Sequence, residues 1–493
     1  MCRLQALHRA LLPLVLIPAL CCPGAPRAQY FELPDLASSA DTVMTQGAEA
    51  RLGKAFMQQV RERLPVLDDP LLTGYIESLG RSLVAAAPDA TGRRFRFFLI
   101  DEPVVNAFAG PGGYIGVYAG LVLAAQTESE LAAVIAHEIA HVTQRHLMRG
   151  FEDQSRLSVP ATALLVAAAI LGAQVSGDAG MAAIAGIQAA AIQHRINFTR
   201  ENEKEADRIG ISTLVRAEHD PFAMAGFFER LSRAGQIHDS AAPEFLRTHP
   251  VTANRIAEAL ERAESYGARQ RPDSLRFHLT RARLRERGYD RAEQAVAHFR
   301  ATLREGRHRN AIAERYGYAL ALTRARDYRR AEAELGALLA ARPSQPEFIV
   351  LEAELAQRLG RSDEALGVLS QTLSLSPNDW VIGTVRARLL LEQGRAAQAL
   401  EALEDLVRLR PDSVMLYDLL ERAAIKSGDR AATHRYRAER LYLLGDLEPA
   451  IRQLEIALRQ RDIPYHDAAQ IQARLDMLRE EEREQRERDD PLG

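Results

Sequence analysis

Apolar residues recur along this chain in several rhythms, and each rhythm predicts a different kind of element. From Ala10 to Cys22 they run almost unbroken behind Arg3 and Arg9, with small residues continuing to Ala28. A charged start and a short apolar core are the layout of a secretory signal, too short for a comfortable membrane span. Leu131, Val134, Ile135 and Val142 then fall at helical spacing. Thr127 and Glu130 ahead of them have capping-box spacing, and Gly150 offers a stop, so a helix is predicted between. Phe95 to Ile100 and Gly113 to Val117 are short, β-prone and flanked by turn residues, which predicts two strands. Pro160 to Ala173 and Ala179 to Ile192 are nearly all Ala, Leu, Ile and Val. Each falls short of the roughly 20 residues that cross a bilayer, and together they predict a helical hairpin.

The second half of the chain has a longer period. Ala331, Ala365 and Ala399 stand 34 residues apart, as do Pro343, Pro377 and Pro411, and Gly360, Gly394 and Gly428. This is the interval of the tetratricopeptide repeat, in which paired helices approach through small residues and each pair ends at a proline. Gly288 to Ala292 reads as a degenerate earlier unit, and Gly445 with Ala450 as a further one displaced by half a period from Gly428. Four to six helix pairs are expected over 272–478, with a charged tail, 479–493, fraying from the last helix. Their concave face would receive peptides or partner proteins. Trp380 and Tyr417 either line that face or lie in its core. The organisation expected is thus a signal over 1–28, a mainly helical domain with a small β element over 29–268, then an α-solenoid of repeats.

Composition narrows the setting. The formal net charge is −3, which argues against a general nucleic-acid binder, and 47% hydrophobic residues suit a globular chain. Cys2, Cys21 and Cys22 are the three cysteines, all within the amino-terminal segment. A chain cut after Ala28 therefore forms no disulfide in an oxidising compartment. Lipid attachment at Cys21 or Cys22 is the rival route, disfavoured by the bulky Leu20.

Candidate chemistry concentrates in the helix predicted first. His137 and His141 are four apart and share one face, so both can reach one metal ion, while Glu138 sits beside that face. Imidazole-rich hydrolase sites usually take zinc. Two histidines leave a catalytic zinc one protein ligand short. The acidic run Glu201, Glu203, Glu205 and Asp207 offers it, with Glu203 and Asp207 on one helical face. Glu201 and Glu205 remain rivals on spacing alone. His146, His194 and His219 match no ligand pattern and read as surface or satisfied core residues.

These segments resemble the metallopeptidase family related to the CaaX prenyl protease, in which a histidine-bearing metal helix is followed by a Glu-x-x-x-Asp helix. The run Asn106-Ala107-Phe108-Ala109-Gly110-Pro111 to Val117, and Thr248-His249-Pro250 followed by Arg255, resemble further family segments in the same order. The resemblance implies a gluzincin-type domain with one zinc ion per chain, Glu203 as the third ligand and Asp207 orienting a ligand imidazole. It implies Glu138 as general base and the strand region at Asn106, Ala107 and Phe108 as the place where substrate lies. A free strand edge there would accept extended peptides of varied sequence. It gives His249 a place near the metal, where it either steadies the oxyanion, occupies the open metal position until substrate displaces it, or is structural. Arg255 would pair with a carboxylate or a substrate end. Because membrane-embedded relatives carry spanning helices near residues 160–192, that pair either touches the inner leaflet of the outer membrane or is ordinarily buried.

With the export signal and the repeats, the resemblance implies a periplasmic endopeptidase with a chaperone-like role. Its partners would be unfolded or stalled outer-membrane proteins and, through the repeats, the β-barrel assembly machinery. The alternative is a periplasmic scaffold whose zinc site is structural. Structural sites favour four ligands with cysteine, which the mature chain lacks, and a base at Glu138 would be wasted in one.

Overall fold

The computed structural model of the chain describes residues 45–149, 162, 166–167, 170, 200–237, 243–269, 271–461 and 463–489. The export segment with its cysteines, most of the apolar pair at 160–192, Gly150 and the last four residues lie outside these.

The first half opens with helices Gln46–Arg63 and Pro70–Ala86. The Thr45 side chain caps the first by accepting from Ala48 N. Asp69 caps the second by accepting from Leu71 N and Leu72 N, with Pro70 at the position where its missing N–H costs nothing. Three strands follow, β1 (Arg96–Ile100), β2 (Ala107–Gly110) and β3 (Tyr114–Tyr118), in sheet order β1-β3-β2. β3 runs parallel to β1 and antiparallel to β2, with Ala107 opposite Val117 and Phe98 opposite Gly116. Two strands were expected and three are present. Ala107–Gly110 is too short and too uniformly apolar to show an alternation, so only its pairing reveals it. The expected 113–117 strand is the sheet's centre, and the edge nearest the histidine helix belongs to β2. Gly112 and Gly113 turn the chain between β2 and β3 with φ of 71° and 75°. A Cβ on Gly113 would sit 1.9 Å from Arg94 O, so this turn admits only glycine there.

The helix Glu128–Thr143 follows and is buried along its whole length. Thr127 Oγ1 accepts from Glu130 N as expected for the capping box. The reciprocal half differs, because Glu130 accepts from Gln126 N rather than from Thr127 and also pairs with Arg230. Helices Arg200–Arg216, Phe222–Ile237, Glu244–Thr248 and Ala253–Tyr266 complete this half. Val166 and Ala167, from the apolar pair, are buried against Phe56, Phe108 and Met148. Among the described residues, no helix is long and apolar enough to cross a membrane.

The repeats form six helix pairs, starting with Leu275–Arg287 and Ala292–Glu305 and ending with Leu447–Leu458 and Tyr465–Asp489. The periodic residues do what spacing implied. Ala331, Ala365 and Ala399 are each 0% exposed in the pair interfaces, and Gly360, Gly394 and Gly428 take φ of 74° to 79° between the helices of a pair. Gly445 lies 17 residues, half a period, after Gly428. It stands 34 residues after Pro411 and replaces that helix-ending proline, with φ 99°. The tail also differs from expectation, since its helix continues through Asp489.

The repeats contact the first half of the chain at several points along their length. Arg283 pairs with Asp69 at 2.7 Å, Arg410 with Glu77 at 2.6 Å and Asp412 with Arg96 at 2.9 Å. Arg388 donates to Asp68 O, Arg281 to Leu123 O and Arg309 to Gln126 O. At the far end Lys54 lies over the Tyr442 ring at 3.8 Å. A Cβ on Gly74 would meet Val381 at 3.1 Å and Trp380 at 3.3 Å, so helix Pro70–Ala86 nests directly on the repeats. At these positions of the repeats the first half of the same chain is the partner. Trp380 is therefore a docking residue, with Arg410 at 4.0 Å from its ring, and Tyr417 packs within the repeats.

Candidate metal centre

The Glu128–Thr143 helix brings His137 and His141 to one face, and helix Arg200–Arg216 lies against it. Gly210 permits the approach, because a Cβ there would come within 3.3 Å of His137 N. This packing chooses among the acidic candidates. Glu201 is exposed, Glu205 half-buried and Glu203 only 2% exposed, with Asp207 one turn on at 5%. The chain returns a third time at the turn after Glu244–Thr248, where His249 enters the same space at 2% exposure.

Four side chains converge. His137 Nε2 lies 2.9 Å from His141 Nε2 and 3.4 Å from His249 Nδ1. Glu203 Oε1 is 3.0 Å from His249 Nδ1 and 3.4 Å from His141 Nε2, and its Oε2 is 3.5 Å from His137 Nε2. Donors bound tetrahedrally at ~2.0–2.2 Å from one ion stand ~3.3–3.5 Å apart, so these separations fit a single metal ion with little adjustment. Glu138 is fully buried beside the cluster, without a hydrogen bond of good geometry to either oxygen, and its Oε1 is 3.4 Å from His249 Nε2. A buried carboxylate so placed awaits a proton donor.

The neighbouring charges are ordered. Asp207 Oδ1 lies 3.0 Å from His137 Nδ1, approaching at an angle. Arg255, 3% exposed, grips Asp207 through Nε at 2.7 Å and Nη2 at 2.8 Å. Its Nη1 reaches Glu203 Oε2 at 2.8 Å and donates to Pro250 O. One guanidinium thus ties the two carboxylates to the His249 turn. Burial disfavours charge on His137, but its contacts with Asp207 and Glu203 outweigh that and bring it up to about 9. Burial and the adjacent His137 hold His141 well below the usual histidine range. Burial raises Glu138. Burial would raise Glu203 too, yet His249 and His137 beside it take it well below the usual carboxylate range.

The pattern of peptidase family M48 matches residues 70–263, which contain every one of these groups, and a tetratricopeptide-repeat pattern matches 356–423. A beta-barrel assembly-enhancing protease of Escherichia coli K12 is 36% identical over 448 residues, covering 91% of each chain. The chain belongs to peptidase family M48. The protein of the same name from Yersinia pestis is 34% identical, again over 91% of each chain. A mitochondrial metalloendopeptidase of Arabidopsis thaliana is 30% identical over 171 residues, covering 35% of this chain and 32% of its own. The M48 site is therefore that of a metallopeptidase, with the buried His137, His141, Glu203 and His249 cluster available to a metal ion.

Of the strand residues expected at substrate, Asn106 is buried, and its Oδ1 accepts from Ala107 N. Ala107 and Ala109 face the core that contains the M48 helix, whereas the Phe108 side chain turns away into the cluster of Phe56, Phe98 and Tyr118. The reading of Phe108 as a contact residue is thus restricted to its main chain. His146 is the residue that sequence reasoning missed. It is 2% exposed and its Nδ1 lies 2.9 Å from His141 Nδ1. Five positions after His141, it falls off the helical face, so periodicity holds no signal for it.

Proposed function

We propose that the chain is a periplasmic zinc endopeptidase acting on unfolded or stalled outer-membrane β-barrel proteins, with one zinc ion held by His137, His141 and Glu203. The observation that carries this reading is the convergence of those three donors beside a fully buried Glu138. A nitrogen and oxygen donor set without cysteine suits a hydrolytic zinc site. Zinc there supplies a Lewis acid that polarises the scissile carbonyl and acidifies water. Glu138 takes the proton from the attacking water and returns it to the leaving amine, a double duty favoured by a carboxyl whose affinity for protons burial has raised. Asp207, locked by Arg255, keeps His137 presenting Nε2. An extended peptide adds to the β2 edge through the main chain of Asn106, Ala107 and Phe108.

His249 fills the fourth corner of the cluster and reaches Glu138 with its other nitrogen. In that position it excludes water and substrate together, so this reading makes the resting enzyme closed and its opening a movement of the Thr248–Pro250 turn. The names of the relatives and the amino-terminal export pattern support the envelope address and the β-barrel clients. The repeats, already engaged with the peptidase half at several points, present their remaining surface to the assembly machinery.

Comparing wild type with Glu138→Gln on an unfolded outer-membrane protein, with zinc content measured on both, tests the reading. Wild type alone should cleave, at equal zinc occupancy, with the variant slower by roughly 10³-fold. Equal cleavage would reject Glu138 as the base. Rescue of barrel assembly by the same variant measures any scaffold contribution.

A further inference from the structure

His146 stands where it can fix the chemical form of His141. Arg145, at φ 54°, breaks the helix after the metal-binding face, and the next residue swings back beneath it. Such a conformation is costly for a residue with a Cβ and persists where the surroundings demand it. The two rings meet edge to face, with centroids 4.9 Å apart. His146 Nδ1 faces His141 Nδ1 at 2.9 Å, and on its far side Nε2 is 3.1 Å from Glu205 Oε2. Arg149 and Arg208, each 3.7 Å from Glu205, steady that carboxylate.

Hydrogen-bond chemistry orders this line. A carboxylate only accepts, so the proton on His146 belongs at Nε2, and its Nδ1 keeps a lone pair. The proton between the two facing nitrogens then belongs to His141 Nδ1. His141 consequently turns an unprotonated Nε2 toward His137 and Glu203, the only form in which it can bind a metal. Asp207 does the same for His137 from the other side. The two Nε2 atoms face each other across 2.9 Å, the place of a shared proton or of a metal ion.

We propose that His146 and Glu205 form a second orienting relay, Glu205 to His146 to His141, which positions His141 as Asp207 positions His137. It rests on the metal-site reading above. His146 and Glu205 are positioning residues and touch neither ion nor substrate. The relay also gives Glu205, a failed rival for the ligand role, a partner of its own, two residues beyond Glu203 and off the ligand face of the same helix.

The test uses full-length protein with zinc affinity read by competition against a chelating dye. His146→Ala should weaken zinc binding 10- to 100-fold, the range for lost partners of a ligand imidazole. His146→Asn, whose amide oxygen can accept from His141 near the lost Nδ1, should recover most of it. Melting temperatures with chelator present should stay alike among the three proteins, since the effect lies in the ligand's orientation. Zinc affinity within twofold of wild type in His146→Ala would overturn the relay. So would equal losses in both variants accompanied by an equal fall in metal-free melting temperature, which is the signature of packing. Failure of wild type to bind one zinc would instead remove the metal-site reading, and the relay with it.

Discussion

At residue scale, the difference between a ligand and a solvated carboxylate is which way the helix turns. Glu201, Glu203 and Glu205 are indistinguishable in type and separated by two positions each, yet only Glu203 faces His137 and His141. The motif at His137 and His141 was legible because two ligands and the base lie within one turn. The third ligand depends on a second helix, and His249 on a third segment over a hundred residues away. Arg255 shows what sequence could not say: one side chain holds Glu203, Asp207 and the turn carrying His249 together. The position of His249 bears on its three candidate roles. With its Nδ1 among the ligand atoms and its Nε2 beside Glu138, His249→Ala should raise basal hydrolysis of an unfolded substrate severalfold without loss of zinc. Loss of activity at full zinc occupancy would instead mark His249 as stabilising the reaction's developing charge.

At the scale of elements, the apolar rhythm located the metal helix and the repeat helices but missed β2 and the turns that aim the site. One such turn joins helices Arg200–Arg216 and Phe222–Ile237. Glu218 adopts φ 61° there, His219 Nδ1 meets Ser129 Oγ at 3.2 Å, and Ser129 accepts from Asp220 N, pinning the turn to the start of the M48 helix. Burial, aided by the charge of Arg271, lowers His219 from the ordinary histidine value of 6.5 to about 4. The unfolded chain therefore takes up this proton below about pH 6.5, while the folded chain refuses it until about pH 4. Stability from His219 is intact above pH 6.5 and is lost as pH falls to 4, by roughly 3 kcal/mol at most. His219→Gln keeps a partner for Ser129 and cannot titrate, so its denaturant midpoint should fall less between pH 7 and pH 4.5. Identical falls in the two proteins would remove His219 from this account.

At the scale of the whole molecule, the repeat array is a clamp as well as a surface. Asp69 caps helix Pro70–Ala86 and pairs with Arg283, whose charge outweighs the effect of burial and lowers the carboxyl below its usual range. Glu77 receives Arg410 in the same helix. Asp69→Asn preserves an efficient cap but leaves Arg283 without its main counter-charge, and Glu77→Gln does the same to Arg410. Breaking a fully buried pair from one side costs about 3–5 kcal/mol, and these partly buried pairs less. Wild type should unfold in one calorimetric transition and the double variant in two, with the repeats released from the peptidase half. A single transition at an unchanged temperature in the double variant would show that the ion pairs do not couple the halves.

The sequence by itself determined what depends on neighbours in the chain: the paired histidines with their base, the helix caps, and the 34-residue period with alanines where helices touch and prolines or glycines where they stop. These are fixed by helical geometry within a turn or a repeat, and so leave a pattern that can be counted. Only the tertiary structure decided which carboxylate meets the histidines, that His249 closes the cluster, that His146 stands behind His141, and that the repeats dock on the chain's own peptidase half. Most of these join segments dozens to hundreds of residues apart through single side chains, and His146 reaches His141 through the left-handed turn at Arg145; such contacts leave no period along the chain.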